Sequence, residues 1–263
     1  MNGMELINSN LLYYALLLGI LSGLGRIDSS VIQIYWHRPI VMGPLVGWLL
    51  GDLHTGLYAG ALLELAWMGL VPLAGAQPPD PVVGGILGVT FAITTGQPPE
   101  TAVAFALPFA VAAQAVKTLL YNLWIAFAHK ADQYARNAET RKIEILHFSS
   151  LGFHFLAYGL MVFLPIYLGV PVAQELIGRV PQELMNGLSI AGRVMPAVGL
   201  AILLKTMLRK EYFGFLLIGF VLTVYFKLPV MGAAVIGVAI ALLQFYNSGN
   251  SGKPTREVKK DGI

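Results

Sequence analysis

An acidic residue, Glu64, stands in the middle of the apolar stretch Ala61-Leu62-Leu63-Glu64-Leu65-Ala66-Trp67-Met68. A charge at membrane depth costs about 2.5–3.5 kcal/mol on insertion scales, so it must face a cavity or a partner. In one interpretation, Glu64 accepts hydrogen bonds from ligand hydroxyl groups, such as those of a sugar, or carries a proton. The alternative is a buried ion pair with Lys117 or Arg193, which also lie in apolar surroundings.

Four further residues are candidate ligand contacts. Gln77 and Asp80 lie on a Gly/Pro-rich breaker after the Glu64 segment, and irregular backbone at membrane depth is tolerated where it lines a cavity. Asp80 could instead cap a helix that starts at Pro81. Trp67, one turn from Glu64, could stack on a sugar ring or simply pack. Gln114 could reach a substrate or form an interhelical hydrogen bond.

Catalysis by the chain itself is not supported. Its five histidines show no metal-ligand spacing, and we find neither a nucleophile–base arrangement nor a phosphate loop. Cysteine is absent, which excludes disulfides and thiolate metal sites. The sequence therefore predicts no catalytic residues, no metal and no cofactor.

The composition indicates the class of protein that positions these residues. The chain has 263 residues, of which 56% are hydrophobic and 12% charged, whereas soluble domains carry about 25% charged residues. Too few polar groups are present to cover a water-soluble fold of this size. We predict an all-α, polytopic integral membrane protein, with one membrane domain over residues 1–247 and a disordered basic tail over 248–263. Its dispersed basic residues leave no nucleic-acid footprint.

Nine apolar stretches run along the chain. A spanning helix needs about 20 apolar residues, so the segments 39–51 and 81–95 are too short to cross alone and are typical of re-entrant or broken helices. The regular spacing of Gly43, Gly47 and Gly51, and of Gly56, Gly60 and Glu64, predicts close helix packing. The stretches are 11–25, 39–51, 56–76, 81–95, 101–128, 151–170, 187–204, 212–226 and 228–246.

Basic residues predict the orientation. They occur in a polar segment from His129 to His147, in a loop around Lys205 to Lys210, and in the tail. The positive-inside rule places all three, and hence the C-terminus, in the cytoplasm. Met1 to Asn10 lacks Lys, Arg and a cleavage site, so we expect no cleaved signal peptide.

From about Leu11 to Tyr246, the chain resembles the IIC membrane component of the mannose/sorbose-type sugar phosphotransferase system. The Gln-Pro-Pro-Asp-Pro stretch is most similar to the N-acetylgalactosamine branch. The anchors of the resemblance are His37-Arg38-Pro39, Gly51-Asp52-x-x-Thr55-Gly56, Leu63-Glu64-Leu65, Ala74-Gly75-Ala76-Gln77-Pro78-Pro79-Asp80-Pro81, His129-Lys130-Ala131-Asp132 and Gly187-Leu188-Ser189-Ile190-Ala191-Gly192.

The resemblance implies a sugar-translocating subunit of a bacterial inner membrane, moving an amino sugar such as N-acetylgalactosamine or galactosamine by an elevator-like shift. It implies a IID membrane partner, a trimer of IIC–IID pairs, and cytoplasmic IIA and IIB proteins, of which IIB phosphorylates the sugar. It also places Glu64 and the Asp80 loop at the sugar site. The alternatives are an ion-coupled secondary transporter with Glu64 as the ion site, a mannose/sorbose-type substrate, and a structural membrane subunit.

Overall fold

The computed structural model describes residue 7 and residues 9–70, 78–177 and 181–250. These residues are mostly helical and contain no strand, which confirms the predicted all-α fold. A π-helical turn, Asp28–Ile32, continues the first helix. The helices are α1 (Leu11–Ile27), α2 (Pro39–Leu49), α3 (Leu53–Trp67), α4 (Pro81–Thr94), α5 (Thr101–Arg136), α6 (Thr140–Ile177), α7 (Gln182–Met207), α8 (Phe213–Val224) and α9 (Val230–Asn250).

The helices differ greatly in length. Within the described residues, five helical segments are long and apolar enough to cross a membrane: those containing α1, α5, α6, α7 and α9. By contrast, α2 has 11 residues and α4 has 14, or about 17 and 21 Å at 1.5 Å per residue. The hydrocarbon core is about 30 Å thick, so neither spans it alone. The prediction of two short segments is confirmed.

The polar segment from His129 to His147 is largely helical. Helix α5 continues through it to Arg136, and α6 begins at Thr140 after a tight turn. Helix α5 has 36 residues, about 54 Å, and therefore extends well beyond a bilayer core. The charged residues of this segment lie at the ends of α5 and α6. Water can solvate their side chains there, and the backbone hydrogen bonds of the helices remain intact.

Glycines bring α2 and α3 into backbone contact. A Cβ atom on Gly56 would lie 2.5 Å from the carbonyl oxygen of Gly43 and 2.6 Å from the Cα of Gly47. The reversal between the helices uses Gly51 at φ 75°, and Asp52 then caps α3 by accepting a hydrogen bond from the Thr55 N–H at 3.0 Å. The close packing predicted from the glycine spacing is confirmed here.

Helix α4 forms the centre of the helical core. Every residue from Val82 to Thr94 is buried, as expected for a helix that is apolar on all sides. It contacts α2, α3, α5 and α6, while α1 packs along α6. Between α1 and α6, the Ser22 hydroxyl donates a hydrogen bond to the Tyr158 backbone carbonyl at 3.0 Å.

The chain divides into two compact units, residues 1–206 and 207–263. The first contains the core just described, and the second contains the helical pair α8 and α9. Helix α9 includes the first three residues of the predicted tail, and residues 251–263 lie outside the described part of the chain. The single membrane domain over residues 1–247 stays a prediction.

Replacing Gly56 by alanine tests the α2–α3 contact. The added methyl group meets backbone atoms that cannot rotate away, so we expect the free energy of unfolding to fall by about 1–3 kcal/mol, as for overpacked sites. Thermal unfolding of the purified protein measures this change. Gly152→Ala on α6 is the matched control, because no atom lies within 4 Å of the position that the added Cβ would occupy. Alanine has the higher helix propensity, so this variant should be as stable as the parent protein or more stable. Equal melting curves for both variants would contradict the contact.

Candidate functional site

Glu64 forms an ion pair with Arg38. The Nε of Arg38 donates to Glu64 Oε1 at 2.8 Å, and Arg38 Nη2 contacts the same oxygen. The other carboxylate oxygen accepts from the Ile40 N–H, at 3.4 Å, in the first turn of α2. The positive end of α2 therefore helps the guanidinium to stabilise the carboxylate. The pair is not sealed, since 17% of the Glu64 side chain and 29% of the Arg38 side chain are accessible.

The partners expected for Glu64 were wrong. Lys117 lies 3.6 Å from Asp80, and Arg193 pairs with Glu100 at 3.1 Å. A single sequence does not reveal the pairing, because 26 residues and a helix reversal separate Arg38 from Glu64.

The turn before α2 positions Arg38. Asp28, fully buried in the π-helical turn, accepts hydrogen bonds from the backbone N–H groups of Ile34 and His37 at 3.0 and 3.1 Å. Its Oδ2 also lies 2.6 Å from His37 Nδ1. One carboxylate thus fixes the chain immediately before Arg38, and Pro39 then starts α2 with φ already suited to a helix.

Asp80 lies at the centre of a second polar cluster. It is 2% exposed, and its Oδ1 accepts from the N–H groups of Val82 and Val83 at 3.0 and 3.2 Å. The predicted helix cap is therefore confirmed. Its Oδ2 accepts from the Tyr158 hydroxyl at 2.7 Å and faces Lys117. Asp80 thereby connects α4, α5 and α6.

The other three predicted ligand contacts are Trp67, Gln114 and Gln77. Trp67 is 2% exposed, and its indole N–H donates to the Pro79 carbonyl at 2.9 Å, so it anchors the chain just before Asp80. Gln114 is half-buried on α5, one turn before Lys117. Gln77 lies outside the described residues.

Sequence reasoning missed three polar residues of the core: Arg26, Asp28 and Tyr158. Arg26 is 7% exposed and holds its guanidinium carbon 4.9 Å above the Tyr158 ring. A signal was present, because Arg26 and Asp28 directly follow the first apolar stretch. The apolar stretch ends at Gly25, whereas α1 continues through Arg26 to Ile27.

Charged pairs in an apolar core, short buried helices and helices long enough to span a bilayer define a polytopic membrane protein, and this combination is typical of transporters. Comparison with known proteins specifies the family. Residues 12–243 match the family model described as the PTS system sorbose-specific IIC component. The chain belongs to this mannose/sorbose family of phosphotransferase IIC sugar permeases.

Individual relatives agree with this assignment. The chain is 34% identical over 223 residues to N-acetylgalactosamine permease IIC component 1 of Escherichia coli K12, covering 84% of each chain. It is 50% identical over 121 residues to the putative N-acetylgalactosamine permease IIC component 2 of the same strain, covering 46% of this chain and 91% of the relative. Among solved structures, a chain of the mannose transporter ManYZ in complex with microcin E492 matches with a TM-score of 0.54 and 29% identity. That match covers 89% of this chain and 95% of the other.

Removing the Asp80 carboxylate tests the second cluster. In Asp80→Ala, Lys117 becomes an unpaired charge at membrane depth, and we expect a loss of about 3–5 kcal/mol in the free energy of unfolding. Adding Lys117→Met to Asp80→Ala should recover part of that loss. Thermal unfolding of the purified protein is the measurement.

Asp52→Ala is the matched control for this experiment, because Asp52 also caps a helix but has no cationic partner among its described contacts. Loss of the cap alone should cost about 1 kcal/mol. If Asp80→Ala is no more damaging than Asp52→Ala, the ion pair contributes nothing.

Proposed function

We propose that this chain is the sugar-translocating subunit of a phosphoenolpyruvate-dependent phosphotransferase system for an amino sugar, N-acetylgalactosamine or galactosamine. The observation that carries the proposal is the partly accessible Arg38–Glu64 pair inside an apolar helical core. The choice of sugar is supported by the two N-acetylgalactosamine permeases among the relatives.

The chemistry of the pair suits an amino sugar. A carboxylate accepts hydrogen bonds from hydroxyl, amide or ammonium groups, and a guanidinium donates to hydroxyl and carbonyl oxygens. An acetamido or amino group on the sugar therefore meets a complementary partner. A site built to hydrogen-bond a polar group rejects analogues that lack it, because its own groups would be left unpaired.

The remaining predicted contacts have either an indirect or a direct role in this proposal. Asp80 and Trp67 fix the two ends of the Pro79–Pro81 connection, so they position the loop before α4 and act on the sugar through it. Gln77 and Gln114 stay predicted sugar contacts. Phosphoryl transfer is assigned to the partner IIB, and this chain supplies no catalytic residue.

The proposed assembly follows the resemblance. A IID subunit completes the membrane complex, as a trimer of IIC–IID pairs, and the IIA and IIB proteins bind on the cytoplasmic side of the bacterial inner membrane. The positive-inside rule assigns the basic ends of α5 and α6, and the C-terminus, to that side. Sugar crosses by an elevator-like movement of a core against a scaffold.

Uptake in membrane vesicles tests the proposal. With the IID, IIA and IIB partners and phosphoenolpyruvate supplied, N-acetylgalactosamine should accumulate as its phosphate and resist an uncoupler, because phosphorylation makes uptake one-way. Galactosamine should compete more strongly than mannose, fructose or sorbose. Loss of uptake on dissipating the proton gradient would instead establish the ion-coupled alternative. Stronger competition by mannose would overturn the choice of sugar.

Glu64→Gln tests the sugar site itself. A hydrogen bond to a charged group contributes about 1.5–3 kcal/mol, so we expect sugar affinity to fall by about tenfold or more. Equilibrium binding to the purified complex measures this, and a melting curve verifies folding. Glu139→Gln breaks a surface ion pair with Lys142 and is the matched control, with unchanged binding expected. Unaltered affinity in a folded Glu64→Gln protein would assign Glu64 a structural role only.

A further inference from the structure

The connection from α1 to α2 has a strained backbone. Gln33 has φ 55° and Tyr35 has φ 66°, and this left-handed conformation costs free energy for any residue that carries a side chain. Both residues follow the π-helical turn Asp28–Ile32, a rare conformation that occurs mostly at functional sites. Strained backbone persists only where neighbouring groups hold it, so this connection requires a specific fixing contact.

Asp28 provides that contact, because side-chain packing does not. Ile34 and Tyr35 are 71% and 62% exposed, and packing against the core resumes only at Trp36. Asp28 is fully buried, and its two oxygens accept from the N–H groups of Ile34 and His37 at 3.0 and 3.1 Å. The imidazole Nδ1 of His37 lies 2.6 Å from the second oxygen. One carboxylate therefore bonds the connection at both of its later turns.

The connection ends at Arg38. The N–H groups of Val41 and Met42 donate to the Arg38 carbonyl at 2.9 Å, so its backbone is fixed from the helix side as well. From this position, the Nε of Arg38 donates to Glu64 at 2.8 Å. No described contact joins Asp28 to Glu64 directly. Any influence of Asp28 on the ion pair must pass through the backbone before Arg38.

We propose that Asp28 is a positioning residue of the sugar site, which holds the strained connection so that Arg38 is directed towards Glu64. The inference rests on the proposed role of the Arg38–Glu64 pair in sugar binding. Arg38 has N–H groups that Glu64 leaves unused, and these can donate to the sugar.

The strain makes this role necessary. Without Asp28, the left-handed residues Gln33 and Tyr35 relax towards favoured backbone conformations, and Arg38 moves with them. A hydrogen bond to nitrogen needs a separation of about 2.7–3.2 Å, so a shift of about 1 Å removes it. The sugar therefore loses its contact with Arg38 although Arg38 itself is unchanged.

Thermal unfolding without sugar tests the positioning. The variants are Asp28→Ala, Glu64→Gln and the double variant. If Asp28 holds Arg38 on Glu64, Asp28→Ala has already lost the ion pair, and the double variant should lose less melting temperature than the two single losses together. Asp52→Ala removes another carboxylate that accepts a backbone N–H, and its loss should simply add to that of Glu64→Gln. Additive losses for Asp28→Ala would overturn the proposal. If Asp28→Ala does not fold, Asp28→Asn makes the same cycle.

Equilibrium binding of N-acetylgalactosamine to the purified complex tests the role in recognition. Asp28→Ala should lower the affinity by about tenfold, the effect of losing one hydrogen bond from a charged group. Asp28→Asn should lower it less, because its amide oxygen still accepts one backbone N–H. In an Arg38→Gln protein, Asp28→Ala should have little further effect, since Asp28 acts through Arg38. Asp52→Ala should bind as the parent protein does.

The outcomes separate this inference from the sugar site itself. Unchanged affinity in a folded Asp28→Ala protein, with affinity lowered by Glu64→Gln, would overturn the inference and leave the site intact. An equal effect of Asp28→Ala with and without Arg38 would also overturn it, because Asp28 would then act by another route. If neither Asp28→Ala nor Glu64→Gln changes the affinity, the proposed sugar site is wrong, and a role of Asp28 in recognition is overturned with it.

Discussion

The free-energy cost of placing charge in an apolar core governs this fold. The carboxylates Glu64, Asp80 and Asp28 each have a cationic or hydrogen-bonding partner, and each of these contacts joins separate parts of the chain. The Arg38–Glu64 pair joins α2 to α3, Asp80 joins α4 to α5 and α6, and Asp28 fixes the turn that leads into α2. In the absence of water, these polar contacts therefore determine which helices neighbour one another, and the glycine contacts determine how closely they approach.

The two polar clusters differ in how accessible their carboxylate groups remain. Asp80 uses both oxygens within the protein and is almost inaccessible, so its contribution is to architecture. Glu64 also has a partner, but its side chain and that of Arg38 remain partly accessible, which is the property that a ligand contact requires. The distinction rests on residual exposure, because both residues are carboxylates with a protein partner, although Glu64 lies within a helix and Asp80 caps one.

Much of the helical pattern could be predicted from the sequence, because burial in lipid requires long apolar runs. The short helices α2 and α4 were recognised from their length, and the cap at Asp80 from the proline that follows it. The partner of Glu64 was not, because pairing depends on the reversal at Gly51. Arg26 was missed because a hydropathy boundary cannot distinguish a residue that leaves the membrane from one that turns inward onto an aromatic ring.

The backbone contact between α2 and α3 makes this pair sensitive to membrane thickness. Helix α2 is about 17 Å long, and its glycine contacts with α3 leave little freedom to slide or extend. A hydrocarbon layer thicker than such a hairpin must thin around it or be covered by neighbouring protein, at a cost of a fraction of a kcal/mol per Å of hydrophobic mismatch. Bilayers with longer acyl chains would therefore impose elastic strain on this region, and the thickness of the host membrane becomes a determinant of its stability.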